Sequence, residues 1–326
     1  MQYSGATMSS SRVAVVVVSF NTRELLLECL ESLRSASELL LSDIVVVDNA
    51  SHDGSPQMVR QAYPEVRLIN NPTNVGFARA CNQGIRSTSA PFVLLLNSDA
   101  RISELCLDAL LGCFSLKETC GAAGCTLINE TGAVRPSTWR FLTPFNQALE
   151  LLGLTQLASG RFARSYTPTT GEDGIDCSVD WMEASCLMLR RAAVEQVGLL
   201  DEHFFMYSED EDLCWRLRQS GWLTCYSNRG NAVHHGGASA QQNPLQNLYR
   251  FYRSQYLLLL KHHGRASAQL FLAANRTALL LKRLWHRLSG NHLRLHDSQL
   301  RWKAIKHASN DEDPPLASTS QPPVDA

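Results

Sequence analysis

The first hundred residues repeat one pattern: a short apolar run, a polar stop, then a segment with helical spacing. The apolar runs are Val13–Val18, Asp43–Val47, Val66–Ile69 and Phe92–Leu96. The first is mostly β-branched and apolar throughout, as in a strand buried on both faces of a parallel sheet. Between the runs, Leu25, Leu26, Leu30 and Leu33 fall on one helical stripe. That helix has Glu24 three residues after Asn21, a capping-box arrangement. Ser55–Tyr63 reads as a second helix, and Asn74–Arg86 as a third opened by Asn74. The order β-α-β-α-β-α-β predicts a mostly parallel sheet with right-handed crossovers and helices on both faces. Ligands of such sheets bind beyond the carboxyl ends of the strands. Ser19-Phe20-Asn21, Asp48-Asn49 and Asn97-Ser98-Asp99 all stand at such ends.

The rest of the chain is less regular. Ala122–Ile128 reads as a strand and Asn129–Gly132 as a turn. Residues 136–178, with Pro136, Pro144 and Pro168, read as a surface insertion over the site. Val179–Leu189 is strand-like, and Arg191–Val197 is a short helix stopped by Gly198. Ser208 is expected to cap a helix through Gln219, with Gly221 just past its end. Trp222–Tyr226 and Ala232–His234 are expected as separate short strands. Pro244–His262 and Ala266–Leu288 read as helices. Residues 1–11 and 309–326 read as disordered ends around a 12–243 domain and a 244–308 helical extension.

Composition excludes several classes. With 44% hydrophobic and 19% charged residues the chain is globular, not disordered. No apolar run reaches membrane-spanning length, and no small-residue cleavage site follows Val13–Val18, so no signal peptide is expected. The ten cysteines include no Cys-x-x-Cys, which argues against structural zinc and a disulfide framework and for a reduced, cytoplasmic setting. Charge is uneven. Residues 250–308 hold twelve Lys or Arg and one acid, Asp297. This basic, leucine-rich segment is either a helical hairpin packed on the core or an anchor on an anionic membrane surface. Nucleic acid is not expected as a partner, because no recognised nucleic-acid module is present.

Four short clusters carry chemistry. Asp99 is a natural ligand for Mg²⁺ or Mn²⁺, or simply a turn residue. Glu209-Asp210-Glu211-Asp212 opens a helix, where acids are favoured, but four in a row flanked by Phe204, Phe205 and Trp215 should raise one another's pKa values. His234-His235-Gly236-Gly237 pairs a potential metal ligand with glycines that admit a ligand close to the backbone. Asp48 could accept from a nucleoside or merely close an Asx-rich turn.

Taken in order, these segments resemble the family 2 glycosyltransferases. The match runs through Val15–Asn21, Val46–Ser55, Asn74-Val-Gly76-Phe77-Ala78-x-Ala80-x-Asn82-x-Gly84 and Leu94–Asp99. It continues through Gly198-x-x-Asp201-Glu202-x-Phe204–Arg216, Gly221-Trp222 and His234-x-x-Gly237-x-Ser239. It is strongest toward the bacterial rhamnosyltransferase-like branch. The resemblance implies a GT-A fold within the α/β class and a nucleotide-diphosphate sugar donor. It implies Ser19, Asn21, Asp48, Asn74, Gly76, Asn82 and Asn97 on the donor, and Asp99 with His234 on the metal. It implies Asp210 as catalytic base, Glu209 beside it, and Trp181 and Asp212 toward the acceptor. Asn97 stands where many relatives carry Asp, and Ala184 where they usually carry Gly. The implied reaction inverts the anomeric carbon: one base activates an acceptor hydroxyl and no protein nucleophile is needed. The implied acceptor is a glycan or lipid-linked glycan of cell-surface polysaccharide synthesis, reached at the inner face of the membrane. Two other readings compete. A dinucleotide-dependent oxidoreductase would need a glycine-rich first turn where Ser19-Phe20-Asn21-Thr22 stands. A non-catalytic nucleotide-sugar-binding relative would not need nearly every polar position filled.

Overall fold

The computed structural model describes residues 13–36, 41–151, 165–166, 168–237, 243–289 and 292–309. The ends expected to be disordered lie outside these residues, apart from Ser309. In chain order the elements begin β1 (Val13–Ser19), α1 (Arg23–Ala36), β2 (Leu41–Asp48), α2 (Ser55–Ala62), β3 (Arg67–Asn70), α3 (Phe77–Arg86) and β4 (Phe92–Asn97). Next come β5 (Ala100–Ile102), α4 (Glu104–Leu116), β6 (Cys120–Ile128), β7 (Val134–Arg135), β8 (Thr138–Trp139), α5 (Pro144–Leu151) and β9 (Ser165–Tyr166). Then follow β10 (Ile175–Val179), β11 (Trp181–Met182), β12 (Cys186–Arg190), α6 (Arg191–Val197), α7 (Glu209–Gln219) and β13 (Leu223–His234). The last two are α8 (Pro244–Leu288) and α9 (His292–His307). The chain divides into two compact units, residues 1–239 and 240–326.

The first unit is built on a sheet of order β10-β13-β6-β12-β4-β1-β2-β3, with β5 on β13 and β7 on β6. β11, β8 and β9 form a second, small sheet. β3, β2, β1 and β4 run parallel, as the βα alternation requires. β12 is antiparallel to both β4 and β6, so the sheet is mixed at its centre. Each face is covered. Val13, Val15 and Val17 pack with Leu26, Leu30, Leu107 and Leu110 of α1 and α4. Val16 packs on the other face with Ile85, Leu213 and Leu217 of α3 and α7. Strands caught between two helical layers read as continuous apolar runs, and each fully buried Val or Leu contributes roughly 1.5–3 kcal/mol. α3 sits directly on β1: a Cβ on Gly84 would lie 2.3 Å from a methyl of Val16.

Several boundaries differ from the sequence reading. α1 begins at Arg23, and Asn21 lies outside it with a positive φ of 51°. α3 begins at Phe77, because Gly76 adopts φ 89° and the Asn74 side chain turns back to accept from the Gly76 N–H at 3.0 Å. Ser208 is at the N-cap of α7, yet its φ of 64° leaves the side chain making no capping bond. Trp222–Tyr226 and Ala232–His234 belong to one strand, β13, with a register shift between Ser227 and Asn231 against β6. Val179–Leu189 is split among β10, β11 and β12 across two sheets. α4 was not expected; its apolar residues crowd several faces and blur the helical stripe. The irregular 136–178 stretch contains β8, α5 and β9 as well as loop.

Cysteine usage is also corrected. Cys177 on β10 and Cys225 on β13 form a disulfide, brought together by strand pairing across 48 residues of sequence. The other eight are free and buried. Three of them, Cys106, Cys125 and Cys186, gather in the core with sulfurs 3.5 and 4.0 Å apart along the row.

Candidate active site

The parallel register brings the expected polar stops to one edge. Ser19 pairs with Asp48, Val18 with Asn97, and Asp48 with Asn70. The four non-glycine residues with positive φ among the described residues are Asn21, Ala50, Tyr207 and Ser208. All four lie in loops at this edge. Strained backbone of this kind persists where the surroundings over-determine it, as at binding sites.

At the end of β2, Asp48 is 2% exposed. Its Oδ2 accepts from the Ser51 N–H at 2.9 Å, whereas Oδ1 is buried without a partner. A buried carboxylate oxygen left unpaired is costly unless a ligand N–H or hydroxyl meets it. Asn21 staples this wall together. Its N–H donates to Ser51 Oγ, and its Oδ1 accepts from the His52 N–H. Ser19 lies beneath, its hydroxyl in a buried relay through Thr22 to Ser98. Gly76 allows α3 to approach the 204–207 loop, since a Cβ there would stand 2.6 Å from the Phe205 carbonyl. Asn74 orders that turn from the loop side.

At the centre, the Asp99 carboxylate lies 3.2 Å from His234 Nε2. The Asn97 amide nitrogen lies 3.4 Å from the same ring nitrogen. The backbone makes this pairing, because His234 is opposite Ala100 in the β13–β5 ladder and the His235 N–H donates to the Asp99 carbonyl. Arg135 on β7 donates to the carbonyls of His234 and His235 and holds the turn. An imidazole nitrogen and a carboxylate oxygen at this separation are a donor pair that could hold Mn²⁺ or Mg²⁺. Among the described residues His234 Nδ1 is buried and has no partner, so the ring is oriented through Nε2.

The four consecutive acids divide into four roles. Asp210 reaches into the site: its Oδ2 accepts from the Ala184 N–H at 3.1 Å, and its Oδ1 from the Glu211 N–H at 2.9 Å. Burial pushes its pKa up to about 6 against those backbone bonds. Glu211 accepts from the Leu142 N–H and ties down the 141–143 segment. Asp212 is fully buried and bonded to Arg216 at 2.8 Å, and Arg216 also donates to the carbonyls of Val197, Gly198 and Leu199. It is therefore a structural anchor and not a group facing an acceptor. Glu209 is 4% exposed, and burial, then the Asp210 charge, pushes its pKa well up. Its Oε2 has no partner. Because its native pKa lies above the unfolded value, the stability it contributes is complete below pH 4.5 and is lost as pH rises. Glu209→Gln is accordingly expected to melt at a higher temperature than the parent at neutral pH, with the gap narrowing as pH falls toward 4.5.

Asn82 is likewise turned away from the ligand edge. Its amide donates to the Leu200 carbonyl at 2.8 Å and to Glu202 at 2.9 Å, and its oxygen accepts from the Leu200 N–H at 3.1 Å. It joins α3 to the segment leading into α7. Asn82→Ala is expected to lower stability by about 1–3 kcal/mol by stranding those buried groups, while leaving donor KM unchanged. A raised KM with normal melting would return it to the donor site.

The two ends meet. The Ala184 N–H donates to Asp210, the adjacent Ser185 carbonyl accepts from the Asn97 N–H, and the Asn97 amide neighbours His234. Glu183, which the sequence reading did not select, stands between them. Its pKa is pushed up to about 6, first by burial and then by the Asp210 charge, while His234 and Arg135 pull it down. Its Oε1 accepts from the Trp139 indole at 3.1 Å. Trp139 stacks on Trp181 with centroids 5.8 Å apart, and Phe141 meets Trp215 at 4.6 Å. Trp181 itself is buried, its indole bonded to the Arg140 carbonyl. Trp139 on β8 and Glu183 in the turn between β11 and β12 thus stand beside Trp181; no local motif announces them.

The chain is similar to proteins of known activity. Residues 14–170 match the family described as Glycosyl transferase family 2. The chain is 31% identical over 265 residues to the N-acetylglucosaminyl-diphospho-decaprenol L-rhamnosyltransferase of Mycobacterium tuberculosis, covering 77% of this chain and 84% of that one. A mannosyltransferase from Pyrobaculum calidifontis, solved with GDP-Man and Mn²⁺, superposes with a TM-score of 0.53 at 16% identity over 94% of this chain and 89% of its own. GalNAc-T7, solved with UDP, GalNAc and Mn²⁺, gives a TM-score of 0.55 at 14% identity over 78% of this chain and 48% of its own. The fold is thus GT-A, and the chain belongs to the family 2 glycosyltransferases.

Proposed function

We propose that this chain moves a sugar, rhamnose in the first instance, from a nucleotide-diphosphate donor to a hydroxyl of a lipid-linked glycan, with inversion. The sugar and the acceptor come from the name of the mycobacterial relative, a rhamnosyltransferase of a decaprenol-linked substrate. The observation that supports the reading is the short bridge Asp210–Ala184–Ser185–Asn97–His234, which links the Asp210 carboxylate to the His234 and Asp99 side chains. In this reading Asp48 takes a donor N–H or hydroxyl on its unpaired oxygen. Asp99 and His234 would hold Mg²⁺ or Mn²⁺, and such a cation would supply charge neutralisation for a diphosphate leaving group. The stacked pair Trp139 and Trp181 walls the acceptor. Asp210, its pKa near 6 and its orientation fixed by two backbone N–H groups, takes the proton of the attacking hydroxyl. A single base and a single displacement give inversion. The acceptor places the work at the cytoplasmic face of a membrane, where nucleotide sugars are found. The test is transfer of radiolabelled sugar to polyprenyl-diphospho-N-acetylglucosamine, preceded by a thermal-shift panel of nucleotide sugars with and without Mn²⁺. Protection by an activated rhamnose that depends on Mn²⁺, followed by product formation, supports the reading. Protection only by another activated sugar overturns the rhamnose assignment, and absence of transfer to any acceptor overturns the enzymatic one.

A further inference from the structure

The second unit has a helix with two apolar faces. Beyond Gly264, whose φ of 80° breaks the helical path, α8 buries Phe271, Leu272 and Leu279. This face belongs to the unit's own core, which includes Ala304 and Ile305 of α9, and Arg276 donates to the Ile305 carbonyl at 3.3 Å. The opposite face is also apolar but exposed: Leu270 at 62%, Leu281 at 63%, Leu284 at 56%, Trp285 at 67% and Leu288 at 77%. Residues 281, 284, 285 and 288 follow the i, i+3, i+4, i+7 spacing of one stripe, and Leu270 stands three turns earlier on the same line. The exposed cations Lys282 and Arg287 flank that stripe on its two sides. No acid occurs between Pro244 and Leu288.

We propose that this face docks on an anionic phospholipid bilayer, with the leucines and Trp285 in the headgroup–acyl boundary and Lys282 and Arg287 on lipid phosphates. A solvent-facing helix side carries polar residues; a leucine stripe bordered by cations is the pattern of helices that lie in a membrane surface. Tryptophan favours that boundary. No described helix is long and apolar enough to cross a membrane, so the contact is with the surface. A second copy of the chain fits less well, because a two-fold contact would set Lys282 and Arg287 against like charges with no acid on the helix to pair them. Anionic headgroups supply the missing charge. The proposal deepens the reading of a lipid-linked acceptor and rests on it for its purpose, since docking would hold the enzyme where that acceptor lies.

The test is sedimentation of the full chain with vesicles of phosphatidylglycerol and phosphatidylcholine, against vesicles of phosphatidylcholine alone. Binding is expected only to the anionic vesicles and is expected to weaken with salt. Lys282→Glu with Arg287→Glu should lower the partition constant at least ~10-fold, at about 1 kcal/mol per cation near the surface. Leu281→Gln, Trp285→Gln and Leu288→Gln combined should abolish binding with an unchanged melting temperature, since all three side chains are exposed. Vesicle binding that these variants leave intact, equal binding to neutral vesicles, or concentration-dependent dimerisation without vesicle binding overturns the proposal. The assay needs neither donor nor acceptor, so its failure is distinct from a failure of sugar transfer.

Discussion

Replacing Asp210 by Asn is expected to lower kcat at least ~10²-fold while the fold and donor affinity persist, the loss typical of a removed general base. The isosteric amide keeps the shape that meets the Ala184 and Glu211 N–H groups, whose distances to the carboxylate are 3.1 and 2.9 Å. What it removes is the capacity to take a proton. The pH profile supplies a second reading of the same residue. The base works ionised, and its pKa is raised to about 6 by burial. Activity should therefore fall tenfold per unit as pH drops below about 6, and this acid limb should vanish in the Asn variant. Glu183, raised to about 6 first by burial and then by the Asp210 charge, should titrate lower in the Asn variant, where that charge is gone. Retained activity in the Asn variant would remove Asp210 from the mechanism. An unchanged acid limb would remove its titration.

Asp99→Asn is expected to cost about 10²–10³-fold in turnover and to erase the Mn²⁺ dependence of donor protection in thermal shift. The carboxylate is 7% exposed and 3.2 Å from His234 Nε2, so the substitution removes the one negative group in that pair. His234→Ala should lose less, because an oxygen ligand to a hard cation outweighs an imidazole. The same protein with chelator should behave as Asp99→Asn does, without further loss in the variant. If donor protection were equally strong with chelator as with Mn²⁺ in the parent chain, the Asp99–His234 pair would have some other use.

The shared edge of polar strand ends was legible in sequence because it is local. Each parallel strand ends in a few polar residues, and the βα alternation forces Ser19, Asp48 and Asn97 onto one edge. The acid cluster could also be located, but not divided among its roles. Asp210 and Asp212 are two residues apart in one helix, yet one meets Ala184 and the other Arg216. On a helix, residues two apart face in different directions, and what each meets is set by neighbouring segments far away in sequence. Asn82 illustrates the same limit, since its partners Leu200 and Glu202 lie 118 and 120 residues on.

Sequence by itself determined the layered sheet and the edge on which its polar strand ends gather, because strand period, turn chemistry and helix starts are properties of neighbouring residues. Only the tertiary structure decided the rest. The antiparallel β12, inserted between β4 and β6, carries Glu183, Ala184 and Ser185 to the edge where Asn97 ends. Strand pairing also closed the Cys177–Cys225 bond, and packing turned Asn82 and Asp212 inward. Such contacts arise from which elements become neighbours in space, and that depends on burying two apolar faces of one sheet at once.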